Sequence, residues 1–82
     1  MKITIIGAGS LGFTKRFILD IITFSNLRNF TLALNDIDEG RLNLITKWAH
    51  TLKKQENLNM EILSSTDRKD IIADSDYIIN TI

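Results

Sequence analysis

Three glycines near the start of the chain, Gly7, Gly9 and Gly12, have a spacing that suits the binding of a phosphate group. They follow the isoleucine-rich segment Lys2–Ile6 and precede a segment whose apolar residues recur at helical spacing. In a G-x-G-x-x-G pattern at a strand-to-helix junction, the first glycine permits a tight turn and the second permits close approach of a pyrophosphate. The third glycine allows close packing of the helix, whose first N–H groups face the phosphates. The alternative interpretation is a glycine turn with a purely structural role.

An acidic residue, Asp36, closes the next predicted strand and strengthens the phosphate interpretation. It lies 24 residues after Gly12, close to the separation of about 20 residues that a dinucleotide-binding pattern shows. A carboxylate there accepts hydrogen bonds from both hydroxyls of an adenosine ribose and repels a 2′-phosphate, which favours NAD over NADP. Alternatively, Asp36 only ends a strand. Asp38 is interpreted as the N-cap of the following helix rather than as a ligand contact.

Alternating strands and helices would have to position these groups. The pattern of apolar residues predicts strands at residues 2–6, 30–35, 60–64 and 76–82, helices at 14–24, 38–55 and 66–73, and a turn at 26–29. Thr66 is the expected cap of the third helix. This order predicts an α/β, Rossmann-like parallel sheet of about four strands, in the order 3-2-1-4, with flanking helices and right-handed crossovers. The fourth strand reaches the last residue uncovered, so we expect an incomplete domain.

Composition excludes several other classes of protein. The 82 residues are 44% hydrophobic, with ten basic and ten acidic residues and no cysteine. Because neither charge forms a patch, we expect no nucleic acid and no membrane as partner. Without cysteine there is no disulfide framework, and no apolar run is long enough to span a membrane. The expected location is the cytoplasm.

Longer stretches of the chain resemble a known enzyme family. The segments GAGSLGFTKRFILDII, LALNDIDEGRLNLITKWA and DSDYIINT are similar to the N-terminus of family 4 glycoside hydrolases, over essentially the whole chain. They lie nearer to the α-glucosidase and α-galactosidase branch than to the 6-phospho-β-glucosidase branch. The resemblance implies that residues 1–82 are an NAD-binding segment of a longer enzyme that acts on a small-molecule glycoside.

The family resemblance also implies a mechanism and a set of binding residues. Such enzymes oxidise the sugar at C3 with bound NAD, eliminate the leaving group, add water and return the hydride, with a divalent metal, usually manganese, in the full-length enzyme. By resemblance, the pyrophosphate is lined by Gly7, Gly9, Ser10, Leu11 and Gly12, the adenosine ribose is held by Asp36, and the cofactor is approached from the fourth strand by Asn80 and Thr81.

No catalytic or metal-binding residue is expected within these 82 residues. The family's metal ligands are a cysteine and a histidine, and its base is a tyrosine, all from a later region, so we expect the chain alone to be inactive. His50 is interpreted as a surface or packing residue, Tyr77 as core or rim, and Trp48 as core. Lys15 and Arg16 could reach a phosphate from the first helix, but a solvated face is the favoured interpretation.

Two other functions and one association remain open from the residues themselves. The chain could instead be the N-terminal segment of a dehydrogenase of the malate or lactate type, or it could be a nucleotide-binding module without catalytic activity.

The predicted faces of the sheet carry Ile3, Ile5 and Ile78 on one side and Thr4, Ile6 and Ile79 on the other. Since right-handed crossovers place the first two helices on one face, we expect the other face to be largely bare and to drive self-association.

Overall fold

The computed structural model describes residues 1–24 and 29–81 and contains one parallel sheet. The elements in chain order are β1 (Lys2–Ile6), α1 (Leu11–Phe24), β2 (Thr31–Asn35), α2 (Glu39–Gln55), β3 (Glu61–Ser65), a 3₁₀ helix (Arg68–Asp70) and β4 (Tyr77–Asn80). The strands lie in the order β3-β2-β1-β4, and each neighbouring pair is parallel. The predicted α/β class, Rossmann-like topology and strand order are therefore confirmed.

Both long helices pack against the same face of the sheet and form the main core. On the sheet side, Ile5, Leu32 and Leu34 are completely buried, and Ile18 of α1 and Ile45 of α2 are completely buried against them. Burying an aliphatic side chain of this size contributes about 1.5–3 kcal/mol to folding. The central strands β1 and β2 are thus fixed by packing, and their carboxyl ends are held in register.

The centre of the second face of the sheet is covered by the segment that contains Ile71 and Ser75, which corrects one prediction. Thr4 is completely buried, its hydroxyl is hydrogen-bonded to the Ser75 hydroxyl, and Ile71 is buried as well. A mostly bare face was therefore the wrong expectation for the centre of the sheet. Ile78, on the edge strand of this face, stays exposed, with 48% of its surface accessible.

The predicted assignment of the two isoleucines of β4 to the sheet faces was also wrong. In the observed register Thr4 pairs with Ile78, and Ile5 pairs with Ile79. Because paired residues of neighbouring strands project to the same face, Ile78 shares a face with Thr4, and Ile79 shares the helix-covered face with Ile5. A shift of one residue in register exchanges the faces of a whole strand.

Several predicted boundaries differ from the observed ones. Helix α1 begins at Leu11, three residues before its predicted start, because the Ser10 carbonyl already accepts the N–H of Thr14. The predicted helix at 66–73 is reduced to the 3₁₀ helix, and its cap is Asp67 rather than Thr66. The predicted turn at 26–29, apart from Asn29, and the last residue of the predicted fourth strand lie outside the described residues.

The start of α2 agrees with the prediction. The Asp38 side chain accepts the N–H of Arg41 over 3.1 Å, and Glu39 occupies the first turn. Lys53 and Lys54 lie in the last turn, where positive charge is favourable beside the free carbonyl groups. The groups at both ends stabilise α2, and the Asp38 cap fixes the residues between β2 and α2 to the start of the helix.

Candidate functional site

The glycine turn, which we define as residues 7–10, lies between β1 and α1 at the carboxyl ends of the strands. Gly7 has φ of 80°, a conformation that costs a glycine little and strains other residues. The N–H groups of Gly7 and Ala8 both donate to the Asn35 carbonyl, over 2.9 and 2.8 Å. The expectation that the first glycine makes a tight turn out of the strand is confirmed.

Gly9 contacts the acidic residue that follows β2. Its N–H donates to Oδ2 of Asp36 over 2.8 Å. A Cβ on Gly9 would lie 2.5 Å from that same oxygen and 2.7 Å from Cβ of Arg41. The protein itself therefore excludes a side chain here, a reason that the sequence pattern, with its emphasis on the ligand, did not reveal.

Asp36 joins the glycine turn to the start of α2. Besides Gly9, its carboxylate accepts the N–H of Asp38 at Oδ1 over 2.8 Å. The residue is partly exposed, and a carboxylate oxygen has room for a second hydrogen bond. Asp36 is thus placed at the end of β2, as predicted, with each oxygen bonded to a different loop.

Gly12 has no structural partner, which corrects the third predicted role. It is the second residue of α1, it is exposed, and a Cβ built on it meets no atom within 4 Å. The expected close packing of helix against strand is therefore wrong for this glycine. In a helix glycine is less stable than alanine by up to about 1 kcal/mol. The described part of the fold gives no reason for glycine at this position, and the space above it is open.

The two predicted residues at the end of β4 behave differently from each other. The Thr81 hydroxyl approaches the carbonyl oxygens of Gly7 and Ile6, at 2.8 and 3.0 Å. Asn80 is exposed and pairs in register with Ile6. The structure therefore places the Thr81 side chain against the backbone of the glycine turn. The Asn80 residue is exposed.

A cavity of about 500 Å³ lies at the carboxyl ends of the strands. Its lining includes both chain neighbours of Asp36, and it was not predicted from the sequence. It is lined by Ile6, Asn35, Ile37, Thr66, Asp67 and Arg68. Ile37 is 89% exposed. An isoleucine placed between two aspartates directly after a buried strand was the available signal, because a bulky apolar side chain there has no core to enter.

The remaining residues considered in the sequence lie away from this site or are otherwise engaged. His50 is exposed and lines a cavity formed partly by Met1, and Tyr77, 59% exposed, belongs to the rim. Trp48 packs against the core, and Nζ of Lys15 lies 5.7 Å from the centre of its ring. Lys15 is thus turned towards α2, as a cation–π contact.

Two features are absent from the described residues: a cluster of metal-ligating side chains and a helix that could span a membrane. Within residues 1–24 and 29–81, no three side chains of His, Cys, Asp or Glu are grouped so that they could hold a metal ion. In the same ranges, neither long helix combines the length and the apolar character that crossing a membrane requires. The manganese implied by the family resemblance does not fit these residues.

The fold and the glycine turn together define the class of protein. A parallel sheet in the order β3-β2-β1-β4, with a glycine turn leading from a central strand into a helix, is a Rossmann-like α/β arrangement. Residues 2–82 match the sequence model of a protein family, the family 4 glycosyl hydrolases. The chain belongs to this family.

Two similar proteins carry the name alpha-galactosidase. The one from Rhizobium meliloti (strain 1021) is 36% identical over 81 residues, which cover 99% of this chain and 16% of that protein. The one from Bacillus subtilis (strain 168) is 38% identical over 81 residues, which cover 99% of this chain and 19% of that protein. The chain thus spans less than a fifth of the length of these relatives.

Proposed function

We propose that this chain is the NAD-binding segment of a family 4 glycosidase, with the pyrophosphate at the first turn of α1 and the adenosine ribose at Asp36. The observation that carries the proposal is the open space above Gly12. A side chain would fill that space without meeting any described atom of the protein. A phosphate bound in this space would explain why residue 12 is a glycine, which the packing of the fold does not explain.

The hydrogen bonds of the turn indicate which N–H groups are offered to the pyrophosphate. Those of Gly7, Ala8 and Gly9 donate to Asn35 and Asp36, and that of Ser10 donates to the Gly7 carbonyl. The next N–H groups belong to the first turn of α1, at Leu11 and Gly12, where a helix has no internal acceptor for them. An anion is favoured at such a helix start.

The ribose end of the proposed site is centred on Asp36. Its two oxygens each keep capacity for one more hydrogen bond, which suits the two hydroxyls of a ribose. A phosphate on the 2′-oxygen would meet the same negative charge, so NAD is preferred over NADP. The neighbouring cavity, with Ile37 as an apolar wall, is the proposed place of the adenine ring.

For the whole enzyme we propose an α-galactoside as substrate, because both relatives are named alpha-galactosidases. Bound NAD would supply a reversible hydride acceptor for the sugar. The contribution of this segment is to bind and orient the dinucleotide. By the family resemblance, a divalent metal would take its ligands from a later region of the enzyme.

We also propose that the chain self-associates along β4. In the described sheet this strand pairs only with β1, so its other edge is open. Ile78, half exposed on the same strand, adds apolar surface. Open edges and apolar patches favour association with another strand.

Calorimetric titration with NAD⁺ and NADP⁺ tests the proposed cofactor site. Gly12 and Gly40 are a matched pair, since each is the second residue of its helix and both are exposed. We expect the wild-type chain to bind NAD⁺ more tightly than NADP⁺. The Gly12→Ala variant should weaken NAD⁺ binding by about tenfold or more, because the new methyl group occupies the phosphate space, and Gly40→Ala should not. Absence of NAD⁺ binding by the wild type, or equal affinities in both variants, would reject the proposal.

A further inference from the structure

Three consecutive peptide groups in and before the glycine turn have both of their polar ends hydrogen-bonded. They run from Ile6 to Gly9. On the sheet side, the N–H groups of Gly7 and Ala8 converge on one acceptor, the carbonyl oxygen of Asn35. Backbone atoms of β2 supply this part, and it does not depend on any side chain. At their other ends, these peptide groups are hydrogen-bonded to three side chains from separate elements, and the backbone N–H of Ser10 also donates to the Gly7 carbonyl over 3.1 Å.

The first supporting side chain is Thr81, directly after β4. Its hydroxyl lies 2.8 Å from the Gly7 carbonyl oxygen and 3.0 Å from that of Ile6, and its own N–H donates to the Ile6 carbonyl over 3.0 Å. One hydroxyl proton is therefore shared between two neighbouring carbonyl groups. The hydroxyl proton of Thr81 is therefore directed to the turn, and the residue is partly buried.

The other two supporting side chains fix the peptide group between Ala8 and Gly9. The Thr14 hydroxyl donates to the Ala8 carbonyl over 2.9 Å, and Thr14 is completely buried. At the opposite end, Asp36 accepts the Gly9 N–H over 2.8 Å. Because a peptide group is planar, holding both ends fixes its orientation.

We propose that Thr14, Asp36 and Thr81 are positioning residues that hold the glycine turn in its ligand-binding shape before any ligand arrives. This rests on the proposed dinucleotide function. Thr81 then acts through Gly7 and Ile6 rather than by touching the cofactor, which differs from the role that the family resemblance implies.

Holding the carbonyl groups serves anion binding as well as rigidity. A carbonyl oxygen turned towards a phosphate repels it, and here those of Ile6, Gly7 and Ala8 all face donors within the protein. A turn that is already ordered also loses less conformational freedom when a ligand binds. Loss of one support should therefore loosen the turn and weaken binding together.

The test compares amide hydrogen exchange in the ligand-free chain with NAD⁺ affinity. The informative variant is Thr81→Val, which keeps the shape and removes the hydroxyl, while Thr81→Ser restores it. Thr51→Val is the control, because the Thr51 hydroxyl also donates to a backbone carbonyl, that of Lys47, but on an exposed turn of α2. We expect Thr81→Val to accelerate exchange at Gly7 and Ala8 and to weaken NAD⁺ binding, each by about fivefold. Thr81→Ser and Thr51→Val should remain near wild type.

The other possible results for Thr81→Val would overturn either the supporting role of Thr81 or its role in ligand binding. Unchanged exchange at Gly7 and Ala8 in Thr81→Val overturns the supporting role, whether or not NAD⁺ binds. Faster exchange with unchanged NAD⁺ affinity, or with no NAD⁺ binding even by the wild type, overturns the role in ligand binding; the second of these also rejects the proposed function. If Thr81→Val does not fold, Thr81→Ala provides the same comparison without the branched methyl groups.

Discussion

Oδ2 of Asp36 occupies the space that a side chain on Gly9 would need, and it accepts the Gly9 N–H over 2.8 Å. The acidic residue and the second glycine of the pattern therefore contact each other directly, and this contact joins the segment after β1 to the segment after β2. The two residues, 27 positions apart, depend on each other even in a protein without ligand.

The first prediction is that Gly9→Ala destabilises the ligand-free chain by about 1–3 kcal/mol, the usual cost of forcing an extra methyl group into a filled space. The new Cβ would lie 2.5 Å from Asp36 and 2.7 Å from Arg41, so one of them must move. Urea denaturation measures the change in free energy of unfolding. Gly12→Ala, which meets no atom within 4 Å, is the control and should be neutral or slightly stabilising. Equal stability of the two variants would contradict this account of Gly9.

The second prediction concerns the choice between NAD and NADP. We expect Asp36→Ala to weaken NAD⁺ binding by about 1–3 kcal/mol, the cost of losing charge-assisted hydrogen bonds. NADP⁺ should gain relative to NAD⁺, because the charge that repels its 2′-phosphate is gone.

Asp36→Ala also loosens the glycine turn, so the ratio of the two affinities is the decisive quantity. Both dinucleotides share the pyrophosphate, and a loosened turn affects them alike. Calorimetry that finds the same NAD⁺ to NADP⁺ ratio in Asp36→Ala as in the wild type would remove Asp36 from the ribose site.

The third prediction is that Ile78→Lys reduces self-association. A charged side chain on an edge strand opposes pairing with another chain. Sedimentation velocity at tens of micromolar should show association of the wild type and a monomeric variant. Ile37→Lys is the control, because Ile37 is even more exposed, at 89% against 48%, but lies outside the strands. A monomeric wild type would refute the association itself.

The fourth prediction is that the 82-residue chain hydrolyses no glycoside, with or without manganese. The residues that the family resemblance assigns to metal binding and proton abstraction are a cysteine, a histidine and a tyrosine of a later region, and this chain has no cysteine. A nitrophenyl α-galactoside assay provides the measurement, with heat-inactivated protein as blank. Turnover above that blank would show that the chain carries catalytic groups of its own.

The order of the strands and the place of the glycine turn were predictable because they depend on short-range patterns. Alternation of apolar segments with helical ones gives β1 to β4 in sequence, and the glycines mark the junction after β1. The faces of Ile78 and Ile79 were not predictable, since register is set by packing between strands 70 or more positions apart in the chain.

Contacts made by side chains across the sheet also escaped sequence reasoning. The family resemblance implies that Thr81 approaches the cofactor, and nothing in the sequence indicated that its hydroxyl lies within hydrogen-bonding distance of two carbonyl groups, those of Ile6 and Gly7. Thr66 and Asp67 are both good caps, and only the path of the chain decides that Asp67 is used. A pattern identifies which residue types suit a role, while the tertiary structure determines which residue fills it.

The contact between Thr81 and Gly7 joins residues 74 positions apart, and this has a consequence for the order of folding. Closing a loop of that length costs more entropy than pairing β1 with β2, and long-range pairings form slowly. We expect β1, α1 and β2 to assemble first and β4 to dock last, so the glycine turn acquires its final shape at the end of folding. In pulse-labelling hydrogen exchange during refolding, the Thr81 amide should become protected after that of Leu34; simultaneous protection of both amides would indicate a single concerted step.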